Sequence, residues 1–226
     1  MAEPKQNFLH LEFVKLGNVM PITKTEISPG RAWGVWKITE DELDLVEQAE
    51  GLESIPENIR HPNKRLEFIA GRVLVKHLME KVNLPFSGLT KNEFGKPLLK
   101  NCSWRVSLTH SFPLVAALLD AQQEPGIDLE QLNPKLLGMA PRIFDITELR
   151  DAGNDITKHT VYWCGKETLM KIYGRRDVVF SANLLIEPFN LNNEGDLHGR
   201  IIVNDTETRV TLHYYLLDNF VLVMNR

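Results

Sequence analysis

The residues best equipped for chemistry lie in the second half of this 226-residue chain. Asp128 and Glu130 flank Leu129 in the run Ile127-Asp128-Leu129-Glu130. In a strand, alternate side chains share a face, so both carboxylates point one way while Ile127 and Leu129 point into a core. Like charges side by side repel. A fold tolerates them at an exposed edge or where a cation neutralises them, and these four residues leave both readings open. Further along, Trp163, Glu167 and Lys171 stand four apart. On a helix such residues lie one above another, giving a stripe of aromatic, acid and base. Taken alone, Glu167 and Lys171 describe an ordinary surface pair of small energetic consequence.

The elements that must position these groups follow from periodicity. Residues 157–173 read as the helix of the stripe, with Gly165 on a small apolar face and Gly174 as the stop. Residues 104–110 alternate apolar Trp104, Val106 and Leu108 with polar Arg105, Ser107 and Thr109, which is the strand period, and His110 ends the run. Residues 114–119 are continuously apolar, as in a buried strand, so a hairpin with His110 near its bend is expected. Gly95-Lys96-Pro97 marks a tight connection before it. Residues 63–81 form a helical pattern carrying Arg65, Arg72 and Lys76. Arg72 and Lys76 read as its solvated face, and Arg65 is left open.

A strand over 31–38 precedes a capped helix start at 39–42. Short helices are expected over 134–140 and 143–152, and antiparallel strands over 201–203, 209–217 and 220–224. Strand, helices, long helix and terminal strands thus occur twice, with a break near 122–125. A site assembled between such halves would draw Arg65, Lys96 and His110 from one side, and Asp128, Glu130, Lys166, Glu167 and Lys171 from the other.

Composition narrows the partners. Lys and Arg number 26 against 30 Asp and Glu, a net charge of −4, so nothing global favours nucleic acid or an anionic membrane. A polyanion would need the cations gathered locally. Cys102 and Cys164 have no metal-ligand spacing and suggest no disulfide framework. Residues 1–15 lack the apolar run of a signal peptide and no window is long enough to span a membrane, so a soluble cytoplasmic protein is expected.

The ordered set Gly95-Lys96-Pro97, Thr109-His110-Ser111, Gly126-Ile127-Asp128-Leu129-Glu130, and Trp163 with Lys166-Glu167 and Lys171 resembles the 4′-phosphopantetheinyl transferases, in particular the longer Sfp-like type. The resemblance implies an α+β fold of two pseudo-symmetric halves with antiparallel sheets. Residues 1–123 would supply coenzyme A 3′-phosphate and adenine contacts, and 124–226 the metal and pyrophosphate site. It implies transfer of the 4′-phosphopantetheine arm of coenzyme A to a serine of an apo acyl, peptidyl or aryl carrier protein, with release of 3′,5′-ADP. Asp128, Glu130 and Glu167 would surround Mg²⁺. Arg65 and His110 would hold the 3′-phosphate, Gly95, Lys96 and Pro97 would border the adenine and its phosphates, and Lys166 and Lys171 would lie by the pyrophosphate. Glu167 is the candidate base, directly or through water, and Lys171 the candidate stabiliser of phosphate charge.

Two departures from the family pattern stand out. Thr109, counted with the coenzyme A contacts, takes the place of the usual Ser before His but keeps the hydroxyl, and Leu129 between the acids offers no side-chain ligand. Residues 134–139 and Arg142 are candidates for docking the carrier protein, with core packing the competing reading for Leu136 and Met139. A fused pair of halves favours a monomer. A non-catalytic coenzyme A or carrier-protein binding module of the same fold is the alternative, and a metal-dependent phosphohydrolase a third reading.

Overall fold

Residues 22–226 are described by a computed structural model, and the expectation about residues 1–15 lies outside the described residues. The protein is α+β with two antiparallel sheets. The first part of the chain supplies β1 (Ile22–Ser28), β2 (Arg31–Lys37), α1 (Glu42–Gln48), α2 (Pro62–Lys81), β3 (Leu89–Lys91), β4 (Pro97–Leu99), β5 (Arg105–Ser111) and β6 (Leu114–Asp120). Its strands make a six-stranded sheet in the order β1-β2-β6-β5-β4-β3. The second part supplies β7 (Ile127–Gln131), α3 (Lys135–Ile143), α4 (Ile146–Ala152), α5 (Ile156–Tyr173), α6 (Phe180–Asn183), β8 (Leu184–Ile186), β9 (Glu194–Val203), β10 (Thr206–Leu217) and β11 (Phe220–Asn225). These strands are ordered β7-β11-β10-β9-β8.

The strand period explains how the sheets stack. In β6 every residue is buried because it serves two cores. Val115, Ala117 and Leu119 pack with Leu74, Leu78 and other residues of α2, whereas Leu114, Ala116 and Leu118 pack with Ile127 and Leu129 of β7 and Leu222 and Met224 of β11. The alternate residues Val221 and Val223 of β11 join Val161 and Leu169 of α5 in a third cluster. Each long helix therefore covers the outer face of its own sheet, and the inner faces meet. Full burial of each such aliphatic side chain contributes about 1.5–3 kcal/mol, which is what fixes α2 and α5 against their sheets.

Helix ends are written locally. Asp155 caps α5 by accepting from the Lys158 N–H at 3.0 Å, and Gly174 ends it with φ +79°, where a Cβ would be strained. The linker between sheets is fastened by Arg31, which bridges Asp120 at 2.8 Å and also donates to the Asn225 carbonyl. Asp120 in turn accepts from the Gln122 and Gln123 N–H groups at 2.8 and 2.7 Å.

The expected elements over 31–38, 63–81, 104–110, 114–119 and 157–173 appear within one or two residues. Strand β9 extends well upstream of the expected 201–203, and β1 had no sequence reading. Among the described residues no helix is long and apolar enough to cross a membrane.

Candidate functional site

Strand β5 lies beside β7 and is joined to it by side chains. The alternate residues Ser107, Thr109 and Ser111 face that way, and their hydroxyls accept hydrogen bonds from the N–H groups of Ile127, Leu129 and Gln131 at 3.2, 3.2 and 3.3 Å. The backbone donors of β7 that β11 does not use are satisfied in this way, those of Ile127 and Leu129 in buried surroundings. The Thr109 hydroxyl also donates to Asp128 Oδ1 at 3.0 Å, so one side chain orients the first candidate acid.

On the other side of β7 runs α5. Gly126 permits the approach, because a Cβ there would stand 2.6 Å from both Ile172 Cγ1 and the Thr168 carbonyl oxygen. Lys171 thereby reaches over β7. Its ammonium donates to Asp128 Oδ1 at 2.8 Å, the Ile127 carbonyl at 2.7 Å and the Leu108 carbonyl at 3.3 Å. All three protons are engaged within the protein, so Lys171 offers a ligand its charge rather than a spare donor. Trp163, on the same stripe, donates its indole N–H to Glu130 Oε1 at 3.1 Å and stacks on Phe180.

Asp128 pairs with Lys171, and Glu130 and Glu167 lie near enough to feel the charges of both. Burial pushes the Glu167 carboxyl up to about 7, with the charges of Asp128 and Glu130 adding to it and Lys171 and Arg176 opposing it. Glu130 is raised as well, by burial and by Asp128. Asp128 is 5% exposed and its Oδ2 is buried without a hydrogen-bond partner. A buried oxygen without a partner is costly. Among the described residues no group of three or more His, Cys, Asp or Glu side chains is placed closely enough to hold a metal ion. The donors nevertheless fit a hard divalent cation in kind: all are oxygens, they carry surplus negative charge, and one has no partner.

Glu167 and Lys171 form the floor of a cleft of about 900 Å³ whose walls come from both parts of the chain. One wall is α2 with the segment before it, another is the loop and strand around Gly95, Lys96 and Pro97, and the third follows Gly174. Lining it are eight lysines and arginines (Arg60, Lys64, Arg72, Lys91, Lys96, Lys171, Arg175 and Arg176) and two acids, Glu67 and Glu167. A chain of net charge −4 has therefore concentrated cations in one concavity, which focuses its field on an anion. At the mouth the Arg175 guanidinium lies over the Phe94 ring, 5.3 Å from its centroid.

Of the residues singled out from sequence, Gly95, Lys96, Pro97, Thr109, His110, Glu167 and Lys171 line this cleft, and Asp128 and Glu130 lie on β7 behind them. Gly95 has φ +84°, so its glycine shapes the turn. Lys96 reaches Glu124 at 2.6 Å and the Lys171 carbonyl at 2.9 Å, tying the two parts of the chain together across the floor.

Two of the residues singled out from sequence lie elsewhere. Arg65 does not line the cleft. It turns to α1, where it donates to Glu42 at 2.7 Å and to the Ile59 carbonyl at 3.0 Å, and Lys64 takes the cleft side of α2 instead. Lys166 does not reach the cleft either. It is fully buried, 2.7 Å from Glu148, and donates to the carbonyls of Phe180 and Leu184. Glu148 completes that cluster by accepting from the N–H groups of Asp145 and Ile186. Burial raises the Glu148 carboxyl and lowers the Lys166 ammonium, with each partner's charge opposing the shift. The pair ties α4 and α5 to the segment leading into β8, so its role is to hold that segment in place.

Arg175, Arg176 and Arg72 had no sequence assignment to the site. Arg175 and Arg176 directly follow the helix stop, where a pair of arginines just after a stripe of functional residues is a usable signal. No family model matches the chain, and no curated protein matches its sequence.

Proposed function

We propose that this protein transfers the 4′-phosphopantetheine arm of coenzyme A to a serine hydroxyl of an apo carrier protein, with Mg²⁺ as the metal. The observation that carries the reading is the joining of an under-neutralised carboxylate group, Asp128, Glu130 and Glu167, to a cationic cleft large enough for a multiply phosphorylated nucleotide. The order of motifs described above agrees with it.

Phosphoryl transfer asks mainly for positioning and charge neutralisation. Asp128, Glu130 and Glu167 would hold the Mg²⁺, which when bound supplies Lewis-acid stabilisation of the pyrophosphate oxygens. The residues of the chain do the rest. Lys64 on one wall and Arg175 and Arg176 on another provide cations for the phosphates, His110 offers a ring N–H, and Lys171 adds its fixed charge.

Glu167 is the base. As the serine oxygen bonds to the β-phosphorus of coenzyme A, the bond from that phosphorus to the bridging oxygen breaks, and the electron pair leaves with 3′,5′-ADP. The hydroxyl proton passes to Glu167. In the metal-free cleft burial pushes the Glu167 carboxyl up to about 7, and a divalent cation held there would favour its ionised, proton-accepting form.

The test is to incubate the protein with coenzyme A, Mg²⁺ and several apo carrier proteins and to measure the intact mass of each carrier. Gain of one phosphopantetheine on the carrier serine supports the reading. Folded protein that modifies none of them, yet binds coenzyme A, overturns it in favour of a binding module.

A further inference from the structure

Glu67 is the one acid on the α2 wall of the cleft, and the transfer chemistry above has no use for it. It lies on α2 at 3% exposure. Its Oε1 accepts the Phe112 N–H at 2.9 Å and so fixes the bend between β5 and β6, immediately after His110. Its Oε2 faces His110 Nδ1 at 3.3 Å and the Lys64 ammonium at 2.6 Å. The Lys64 contact is an ion pair, and the imidazole of His110 lies against the same carboxylate oxygen.

We infer that Glu67 is a positioning residue for the terminal-phosphate subsite, holding His110 with Nδ1 toward its carboxylate so that Nε2 is presented to the 3′-phosphate of coenzyme A. The inference rests on the reading of the cleft under Proposed function. The two ring nitrogens lie on opposite sides of the imidazole, so a ring whose Nδ1 faces Glu67 turns Nε2 away from it, and His110 is half exposed on the cleft wall. When a phosphate accepts a hydrogen bond from Nε2–H, Glu67 Oε2 accepts one from Nδ1–H, giving charge-assisted hydrogen bonds on both sides of the ring. The charged groups that face His110 are Glu67 and Lys64 from α2 and Glu130 from β7. Despite its burial, Glu67 is held below the usual glutamate range by its contacts with His110 and Lys64, so it is the anion this arrangement needs.

A bare charge argument makes the opposite prediction. Removing a negative charge beside a phosphate subsite should tighten phosphate binding. The sign of the effect therefore decides between the two.

The experiment is calorimetric titration of coenzyme A and dephospho-coenzyme A into the wild-type protein, E67Q, H110A and the E67Q/H110A double variant. Gln keeps an oxygen for the Phe112 N–H, so E67Q preserves the bend. The wild type should prefer coenzyme A by roughly tenfold or more, the size expected of charge-assisted hydrogen bonds. H110A should lose most of that preference, E67Q should lose a large part of it, and the double variant should lose no more than H110A. Nitrogen NMR of the His110 ring with coenzyme A bound should show both ring nitrogens protonated in the wild type and not in E67Q at the same neutral pH. If the wild type shows no preference for the 3′-phosphate, the subsite reading itself fails. If wild type and H110A behave as expected but E67Q binds coenzyme A equally or more tightly, the role of Glu67 alone is overturned.

Discussion

Thr109 on β5 and Asp128 on β7 share a 3.0 Å hydrogen bond between side chains of different sheets, and the same hydroxyl accepts the Leu129 N–H. The candidate metal carboxylate is thus oriented from the other half of the molecule. Thr109→Val keeps the shape and removes both bonds, leaving Asp128 Oδ1 and a buried N–H poorer by one partner each. Urea unfolding should show a loss of about 1–3 kcal/mol, and Thr109→Ser should recover most of it. Divalent-cation affinity should fall in the Val variant and return in the Ser variant.

Glu167→Gln separates activity from stability. The wild-type carboxylate is half-buried near other carboxylates, so its neutral isostere relieves the fold while removing the base. Transfer should fall by about 10²-fold or more, and the metal-free variant should melt no lower than the wild type. Equal transfer rates would remove Glu167 from the base role.

The same carboxyl fixes a pH dependence. Its folded pKa, about 7, lies above that of an ordinary glutamate, so the folded state binds the proton more tightly than the unfolded chain. Stability of the metal-free protein should therefore decline as pH rises from the ordinary glutamate range through about 7, and level off above it. Glu167→Gln should flatten that decline. Thermal melts across this range with a chelator present, for wild type and variant, make the comparison.

Lys166 tests a placement. Lys166→Ala strands the buried Glu148 carboxyl and should cost about 3–5 kcal/mol in unfolding free energy. The folded fraction should keep its coenzyme A KM within about threefold, since the side chain never reaches the cleft. A large rise in KM with unchanged stability would restore the pyrophosphate role expected from sequence.

Gly126→Ala drives a methyl to within 2.6 Å of Ile172 and the Thr168 carbonyl. Backbone does not yield cheaply there, so a loss of about 1–3 kcal/mol is expected, with weakened cation binding as α5 is pushed from β7. Calorimetric unfolding and a Mg²⁺ titration of the same sample would read both.

The strands that carry the site were legible because period-two alternation states directly which residues share a face. Thr109 and Asp128 fall on the predicted faces of β5 and β7 for that reason. Helix positions were harder. Consecutive residues on a helix point about 100° apart, so a motif such as Lys64-Arg65 or Lys166-Glu167 needs the phase of the buried face before its members can be told apart. In α2 that phase puts Lys64 with Glu67 on the cleft side and turns Arg65 to Glu42. In α5 it buries Lys166 beneath Glu148 and leaves Glu167 at the floor. The partners that Arg65 and Lys166 find, Glu42 and Glu148, lie far from them along the chain, where no local spacing rule reaches. The long polar strand β9, with Gly195 and Gly199 inside it, gave too weak a pattern to extend beyond its apolar end.

The central claim is transfer to a protein serine, as distinct from hydrolysis or simple binding. The most direct measurement is the amount of 3′,5′-ADP released from coenzyme A, with and without an apo carrier protein, alongside the amount of carrier modified, in Mg²⁺ and in chelator. The account predicts one 3′,5′-ADP for each phosphopantetheine gained, none without the carrier, and none in chelator. Release of 3′,5′-ADP without any carrier, or carrier modification that persists in chelator, would contradict it.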